Sequence, residues 1–190
     1  MSSRLSESIP QAAQPVPPHA WPTVEERSRA IIAALEEIQP DTILTCPSST
    51  LKEILAAFEG RARVRVVPLT REEEGIGIAA GLALGGGRPV LVIQDNGLGN
   101  SLTALTTFPQ AYHIPLLLLV SQRGGLNEYN SMIHTFCEHV PDIVAAAGLR
   151  AFGLDGHIPA EAWRTTVVKA WEYAHITHRP VLVLCNLMGF

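Results

Sequence analysis

Three consecutive carboxylates, Glu72, Glu73 and Glu74, run directly into a stretch of small and apolar residues, Gly75-Ile76-Gly77-Ile78-Ala79-Ala80-Gly81. A solvated surface helix would not combine that acidity with so many small side chains. Small residues let a second backbone or a ring come close. Carboxylates at a helix N-terminus meet the positive end of the dipole, which favours their charged form. A carboxylate held against a close-packed ligand is equipped for proton transfer. One of the three is expected to be buried for that task, the others to be first-turn carboxylates.

Three further segments carry candidate chemistry. Cys46-Pro47-Ser48-Ser49-Thr50-Leu51-Lys52 places hydroxyls at a helix start, where Ser48 or Ser49 serves as N-cap. Gln94-Asp95-Asn96-Gly97-Leu98-Gly99-Asn100-Ser101 follows an apolar run. Its glycines allow a tight turn and close approach to a ligand, and Asn96, Asn100 and Ser101 add hydrogen-bonding groups. It is neither a dinucleotide fingerprint, lacking the third glycine, nor a P-loop, lacking Gly-Lys-Ser/Thr. Asp95 adds a carboxylate that would cost electrostatic energy beside an anionic ligand unless turned away or paired. His134, Cys137 and His139 lie within six residues, but a fourth metal ligand at standard spacing is missing. No metal site is therefore assigned, and a Cys137 nucleophile with a His base has no elbow motif behind it.

The surrounding pattern supplies the scaffold. The capping box Thr23-Val24-Glu25-Glu26 opens an amphipathic helix. Strands are expected at Thr42 to Cys46, Val64 to Val67, Val90 to Ile93, Pro115 to Val120, Leu149 to Phe152 and Arg179 to Leu184. Helices are expected at Ser49 to Phe58, Glu72 to Leu84, Ser101 to Tyr112, within Val140 to Gly148, and at Pro159 to His175. Gly124 to Asn130 reads as a loop. The strands are continuous apolar runs, the signature of burial on both faces. Alternation with helices predicts an α/β fold, a doubly wound, mostly parallel six-stranded sheet with helices on both faces. Ligands in such sheets sit beyond the carboxyl ends of the strands, so the loops after Cys46, Val67, Ile93 and Val120 matter most.

The chain has 190 residues, 47% of them hydrophobic, which suits one domain over residues 23–190. Residues 1–22, ending in Pro15-Val16-Pro17-Pro18, read as a flexible Pro-rich arm. Net charge is -4 with only 14 Lys and Arg and no basic stripe, which argues against a nucleic-acid partner. No apolar run reaches about 18 residues, so no membrane span is expected. There is no secretory signal pattern, and Cys46, Cys137 and Cys185 are odd in number and widely spaced. Both features fit a reduced, cytoplasmic protein.

Taken together, Pro47-Ser48-Ser49-Thr50-Leu51-Lys52, Arg71 to Gly81, Gly97-Leu98-Gly99-Asn100-Ser101 and Pro115-Leu116-Leu117-Leu118-Leu119-Val120-Ser121-Gln122-Arg123-Gly124 resemble the pyrimidine-binding domain of thiamine-diphosphate decarboxylases. The likeness is nearest to the alpha subunit of sulfopyruvate decarboxylase and the matching half of phosphonopyruvate decarboxylase. The resemblance spans roughly residues 24 to 186 and keeps its motifs in order. It implies that one glutamate hydrogen-bonds N1′ of the cofactor's aminopyrimidine. Counting back nine residues from Gly81 assigns that role to Glu72, with Glu73 second. A carboxylate at that nitrogen favours the imino tautomer, and the cofactor then acts as electron sink while carbon dioxide leaves.

The resemblance further places Pro47, Gly97, Gly99 and Asn100 against the cofactor. It places Ser48, Ser49, Lys52, Asn96 and His134 on the substrate side, where hydroxyls and a helix N-terminus suit an anion. It implies a small anionic 2-oxo acid, 3-sulfopyruvate or 3-phosphonopyruvate, as substrate. The diphosphate and its Mg2+ need a second domain marked by Gly-Asp-Gly, which this chain lacks. A beta subunit is therefore expected to hold them, in a hetero-oligomer whose site lies between chains. Ending at Phe190, soon after its last strand, suits such a split subunit. Two other readings stand: a non-catalytic binding or regulatory module of the same fold, and a self-contained hydrolase using Cys137 and His139.

Overall fold

The computed structural model describes residues 21–126 and 128–188. The arm expected over residues 1–22 lies outside the described residues, apart from Trp21 and Pro22. Order begins at the capping box. The Thr23 hydroxyl accepts from the Glu26 amide at 3.2 Å, and the Glu26 carboxylate accepts from the Thr23 amide at 2.8 Å. This satisfies donors that the first helical turn leaves unpaired. It launches α1 (Val24–Ile38), which stops at Gln39 in the left-handed conformation.

Strands and helices then alternate: β1 (Thr42–Thr45), α2 (Lys52–Ala56), β2 (Arg65–Pro68), α3 (Glu72–Leu84), β3 (Pro89–Gln94), α4 (Asp95–Thr107), β4 (Leu116–Ser121), α5 (Ser131–Cys137), α6 (Val140–Ala146), β5 (Arg150–Leu154), α7 (Ala160–Thr177) and β6 (Pro180–Cys185). The six strands form one parallel sheet in the order β2-β1-β3-β4-β6-β5. Successive side chains of a strand face opposite sides. Val90, Val92, Leu117 and Leu119 thus pack with α1, α2 and α7 on one side. Leu91, Ile93, Leu118 and Val120 pack with α3, α4 and α6 on the other. Both faces are covered, which is why the central strands read as unbroken apolar runs. Each fully buried Leu, Ile or Val contributes about 1.5–3 kcal/mol relative to exposure.

The sheet turns about β1: the chain passes to β2 on one side and to β3 on the other. That reversal opens a crevice at the carboxyl ends of β1 and β3, the place where doubly wound sheets bind ligands. Two elements depart from expectation. The segment Gly97 to Asn100, expected as a turn before a helix at Ser101, lies inside α4, which already starts at Asp95 and ends at Thr107. Glycine disfavours a helix by about 1 kcal/mol relative to alanine, but at Gly97 and Gly99 it admits the close side-chain contacts described below. The segment from Ser131 to Cys137, not expected as a helix, forms α5, with Asn130 as N-cap accepting from the Met132 amide at 3.1 Å.

Candidate functional site

Glu72 opens α3 at the carboxyl end of β2 and is half-buried. None of the three carboxylates is fully buried within this single chain; the expectation of burial therefore fails at that level. They are unequal all the same. Glu73 is also half-buried: one carboxylate oxygen accepts from the Arg71 guanidinium at 2.6 Å and the other, Oε2, is buried with no hydrogen-bond partner among the described residues, while Glu74 is exposed. The Glu72 carboxyl group lies against Gly97 in the first turn of α4. A Cβ at Gly97 would overlap both the carboxyl carbon and Oε1 of Glu72. Glycine at 97 thus lets the Glu72 side chain approach closely, and does not serve a turn. Gly99 has a comparable role on its other side: its Cβ would come 2.8 Å from the Phe136 ring, so it lets α4 pack on α5. Cys46, at the tip of β1, completes this corner. Burial and the neighbouring Glu72 carboxylate push its thiol up from the ordinary value.

A polar network occupies the next strand tips. Ser48, expected as an N-cap, makes no capping bond; its hydroxyl donates to Gln94 Oε1 at 2.8 Å instead. It also lies 3.2 Å from the Thr50 hydroxyl, which reaches Ser121 Oγ at 2.8 Å. Gln94 Oε1 accepts a second bond from Arg123 Nη1 at 3.3 Å. Arg123 forms a two-pronged ion pair with Glu128, Nε to Oε2 at 2.5 Å and Nη2 to Oε1 at 2.8 Å. The two side chains are 6% and 1% exposed, so the pair is buried. The Arg123 guanidinium holds the Glu128 carboxyl below the usual carboxylate range, against the opposing effect of burial. Glu128 also accepts from the Asn130 amide at 2.8 Å, and its backbone carbonyl bonds His134 Nε2 at 3.1 Å.

Beneath the network sits Asp95, which is fully buried. Its Oδ2 accepts from the Arg123 amide at 2.7 Å and its Oδ1 from the Cys137 thiol at 3.1 Å. Burial raises its carboxyl above the ordinary value, while these donors pull it down. Asp95 is therefore turned inward and paired, so it does not face an anion in the crevice. Cys137 is likewise spoken for: burial, then the Asp95 bond, push its thiol far above the ordinary range. His139 stands on the surface beside Glu138, Nε2 to Oε1 at 3.5 Å. A thiol so placed has no thiolate character, which removes the hydrolase reading. No cluster of three metal-ligating side chains occurs among the described residues.

The structure therefore gathers the expected residues into groups. Glu72 and Gly97 meet; Ser48 and His134 end one hydrogen-bonded chain. Pro47, Ser49 and Lys52 line a groove beside Ser48 at the mouth of β1 and β2. Asn96 and Asn100 are exposed on α4. Arg123, Glu128 and Gln94 had no assigned role in the sequence. The signal for Arg123 was its position: a charged residue just beyond an apolar run that ends a buried strand.

The domain is a doubly wound, all-parallel α/β module with a helix-initiating carboxylate packed on glycine beside the switch point. The chain belongs to the thiamine pyrophosphate enzyme family, N-terminal TPP binding domain, whose model matches residues 26–146. It is 38% identical over 101 residues to sulfopyruvate decarboxylase subunit alpha of Methanococcus maripaludis, covering 53% of this chain and 60% of that protein. It is 35% identical over 119 residues to sulfopyruvate decarboxylase of Methanosarcina acetivorans, covering 63% of this chain and 30% of that protein. Phosphonopyruvate decarboxylase of Streptomyces viridochromogenes is 29% identical over 104 residues, 55% of this chain and 26% of that protein. The match thus spans about 60% of the length of the alpha subunit. The fold is shared with 2-oxoglutarate:ferredoxin oxidoreductase from Magnetococcus marinus, solved with 2-oxoglutarate, coenzyme A and succinyl-CoA bound. The TM-score is 0.62 at 14% identity, over 85% of this chain and 29% of that one.

Proposed function

We propose that this chain is a cytoplasmic subunit of a thiamine-diphosphate-dependent 2-oxo acid decarboxylase. It would convert 3-sulfopyruvate and a proton to sulfoacetaldehyde and carbon dioxide, with 3-phosphonopyruvate as the second candidate substrate. The observation that carries this reading is the Glu72 carboxylate, held at the head of α3 against the backbone of Gly97. The close approach at Gly97 sets the Glu72 carboxyl at the crevice edge, where it would meet the cofactor's aminopyrimidine, with Pro47 beyond the tip of β1 and Asn100 further along α4.

When bound, thiamine diphosphate supplies the carbon that adds to the 2-oxo group and the electron sink for carbon dioxide loss. Glu72 would hold the pyrimidine at N1′ and exchange the proton there. A carboxyl group at that position can donate to the bare ring nitrogen when protonated and accept from it once N1′ carries the proton. Ser48, Ser49, Lys52, Asn96 and His134 would receive the anionic substrate. Ser48 and His134 are already fixed by their hydrogen bonds. The diphosphate and Mg2+ would be held by a beta subunit that carries Gly-Asp-Gly. Its seat would be the outer face of α3, where Ile78 and Leu82 are 45% and 36% exposed. Gly77 and Gly81 on that face have open space where a Cβ would stand, which permits close backbone approach.

Gly97→Ala separates the site from the fold. Alanine adds about 1 kcal/mol of helix propensity to α4, and the Glu72 carboxyl is the free end of a flexible side chain. The variant is expected to melt within a few degrees of the wild type while its decarboxylation rate in the complex falls by roughly 10-fold or more. Thermal denaturation and a carbon dioxide assay read the two effects.

The function itself is tested by mixing this chain with the beta subunit, thiamine diphosphate and Mg2+, and measuring carbon dioxide release from both substrates. Release is expected only when all components are present, and faster from 3-sulfopyruvate. A complex that binds thiamine diphosphate yet releases none from either substrate would support the non-catalytic module instead.

A further inference from the structure

Ser48 follows β1 and His134 lies on α5, which follows β4, and one continuous set of bonds joins them across the intervening β3. It runs from the Ser48 hydroxyl to Gln94, from Gln94 to Arg123, from Arg123 to Glu128, and from the Glu128 carbonyl to His134. Arg123 is its centre: its guanidinium donates from Nε and Nη2 to Glu128 and from Nη1 to Gln94. We infer that Arg123 and Glu128 are a positioning pair, whose buried ion pair sets the place and the tautomer of His134 for the reaction. The inference rests on the decarboxylase reading given above and extends it to residues outside the Glu72 corner.

The physical chain is short. A backbone carbonyl can only accept, so the His134 nitrogen facing it must carry the proton. That makes Nε2 the protonated nitrogen of the neutral ring and leaves Nδ1 as the acceptor. The carbonyl belongs to Glu128, so its position depends on what anchors that residue. The Glu128 carboxylate is held by two nitrogens of Arg123 and by the backbone amides of Asn130 and Gly124. Asn130 in turn caps α5, the helix that carries His134. Arg123 is itself anchored through its amide on buried Asp95. The ion pair therefore fixes both ends of the link: the carbonyl that chooses the tautomer and the helix that carries the ring. Neither residue reaches the Glu72 corner by any hydrogen bond among the described residues, so the pair should act on substrate steps and leave cofactor binding alone.

Removing one partner would leave a buried charge and cost stability for that reason alone. The informative variant replaces both. In R123M/E128L, apolar side chains of similar volume take the place of the pair, an exchange that often preserves folding. Ring nitrogen spectra of 15N-labelled full-length chain report the His134 tautomer without cofactor or partner. In the neutral form of the ring, the wild type is expected to carry the proton on Nε2. The folded double variant is expected to populate both tautomers. In complex with the beta subunit its kcat should fall by roughly 10–100-fold, with KM for thiamine diphosphate within about twofold of the wild type. Glu128→Asp, which keeps both charges and draws the carboxylate back by one methylene, should shift His134 in the same sense. A folded variant of either kind with the wild-type tautomer and the wild-type rate would overturn the inference and leave the pair a purely structural device. If the wild-type complex releases no carbon dioxide, the decarboxylase reading fails, while the tautomer comparison still reports on the pair.

Discussion

Glu72→Gln is expected to lower carbon dioxide release from the reconstituted complex by roughly 10²–10⁴-fold, the range for losing a positioned acid–base group. Glutamine keeps the length and shape of the side chain, so it still fits against Gly97. What it loses is the negative charge, and with it the ability to take or hold a proton opposite a ring nitrogen. The fold should be almost untouched. Glu72 is half-buried, and the loss of one first-turn charge costs about 0.3–1 kcal/mol. In a chain of this size that lowers the melting temperature by only a few degrees, at about 2–4 °C per kcal/mol. Glu73→Gln is the internal comparison. Glu73 is held by Arg71 and does not meet Gly97, so its neutralisation should leave the rate within about threefold of wild type. Equal losses in both variants would mean that the acidic run acts through its field and not through one carboxylate.

The largest effect on stability is expected at Arg123. Arg123→Met leaves the Glu128 carboxylate buried without its cation, at a cost of about 3–5 kcal/mol. That corresponds to a fall in melting temperature of roughly 6–20 °C. The loss should depend on pH in a defined direction. In the wild type Glu128 has a depressed carboxyl value, so its contribution is present above the unfolded value of about 4.3 and fades as pH falls through the folded value. Asp95 works in the opposite sense. Its raised value means a contribution that is full below about 3.9 and is lost as pH rises through the folded value. In the variant, Glu128 loses the largest cause of its depression, while the Asn130 and Gly124 amides still favour its charged form against burial. The gap between wild type and variant should therefore be wide at pH 7 and narrow towards pH 4. Urea denaturation at the two values measures it, and an equal gap at both would contradict the assignment of the pair.

The sheet was legible because its central strands are buried on both faces. Leu116–Ser121 and Pro180–Cys185 contain almost nothing but branched aliphatic residues. The outer strands β2 and β5 are half-exposed, and their limits shift by one or two residues from the expected ones. The start of α4 was hidden by its own glycines. Gly97 and Gly99 look like a turn in sequence because their reason for being glycine lies elsewhere, in the Glu72 carboxyl and the Phe136 ring. Helix α5 escaped notice because seven residues hold too little periodicity to stand out, and its signal is a single asparagine cap.

The site divided along the same line. Residues next to a strand end, such as Ser48, Glu72 and Gly97, could be found from position and type. The family resemblance then ranked Glu72 above its neighbours. The Arg123–Glu128 pair could not be found that way. Its members are five residues apart in a loop, at no helical or strand period, and only the tertiary fold buries them together. Asp95 was equally opaque: a carboxylate beside an anion site reads as a liability until the fold shows it facing the Cys137 thiol and the Arg123 amide.

The claim that Glu72 activates a cofactor shared with a second chain has one direct measurement. The complex of this chain with the beta subunit, loaded with thiamine diphosphate and Mg2+, is transferred to deuterium oxide without substrate. Loss of the thiazolium C2 proton is followed by NMR after acid quenching. The wild-type complex should exchange that proton far faster than free thiamine diphosphate, and the Glu72→Gln complex should lose on the order of 10² or more of that acceleration. Equal exchange rates in the two complexes, with the cofactor shown to be bound in both, would contradict the account.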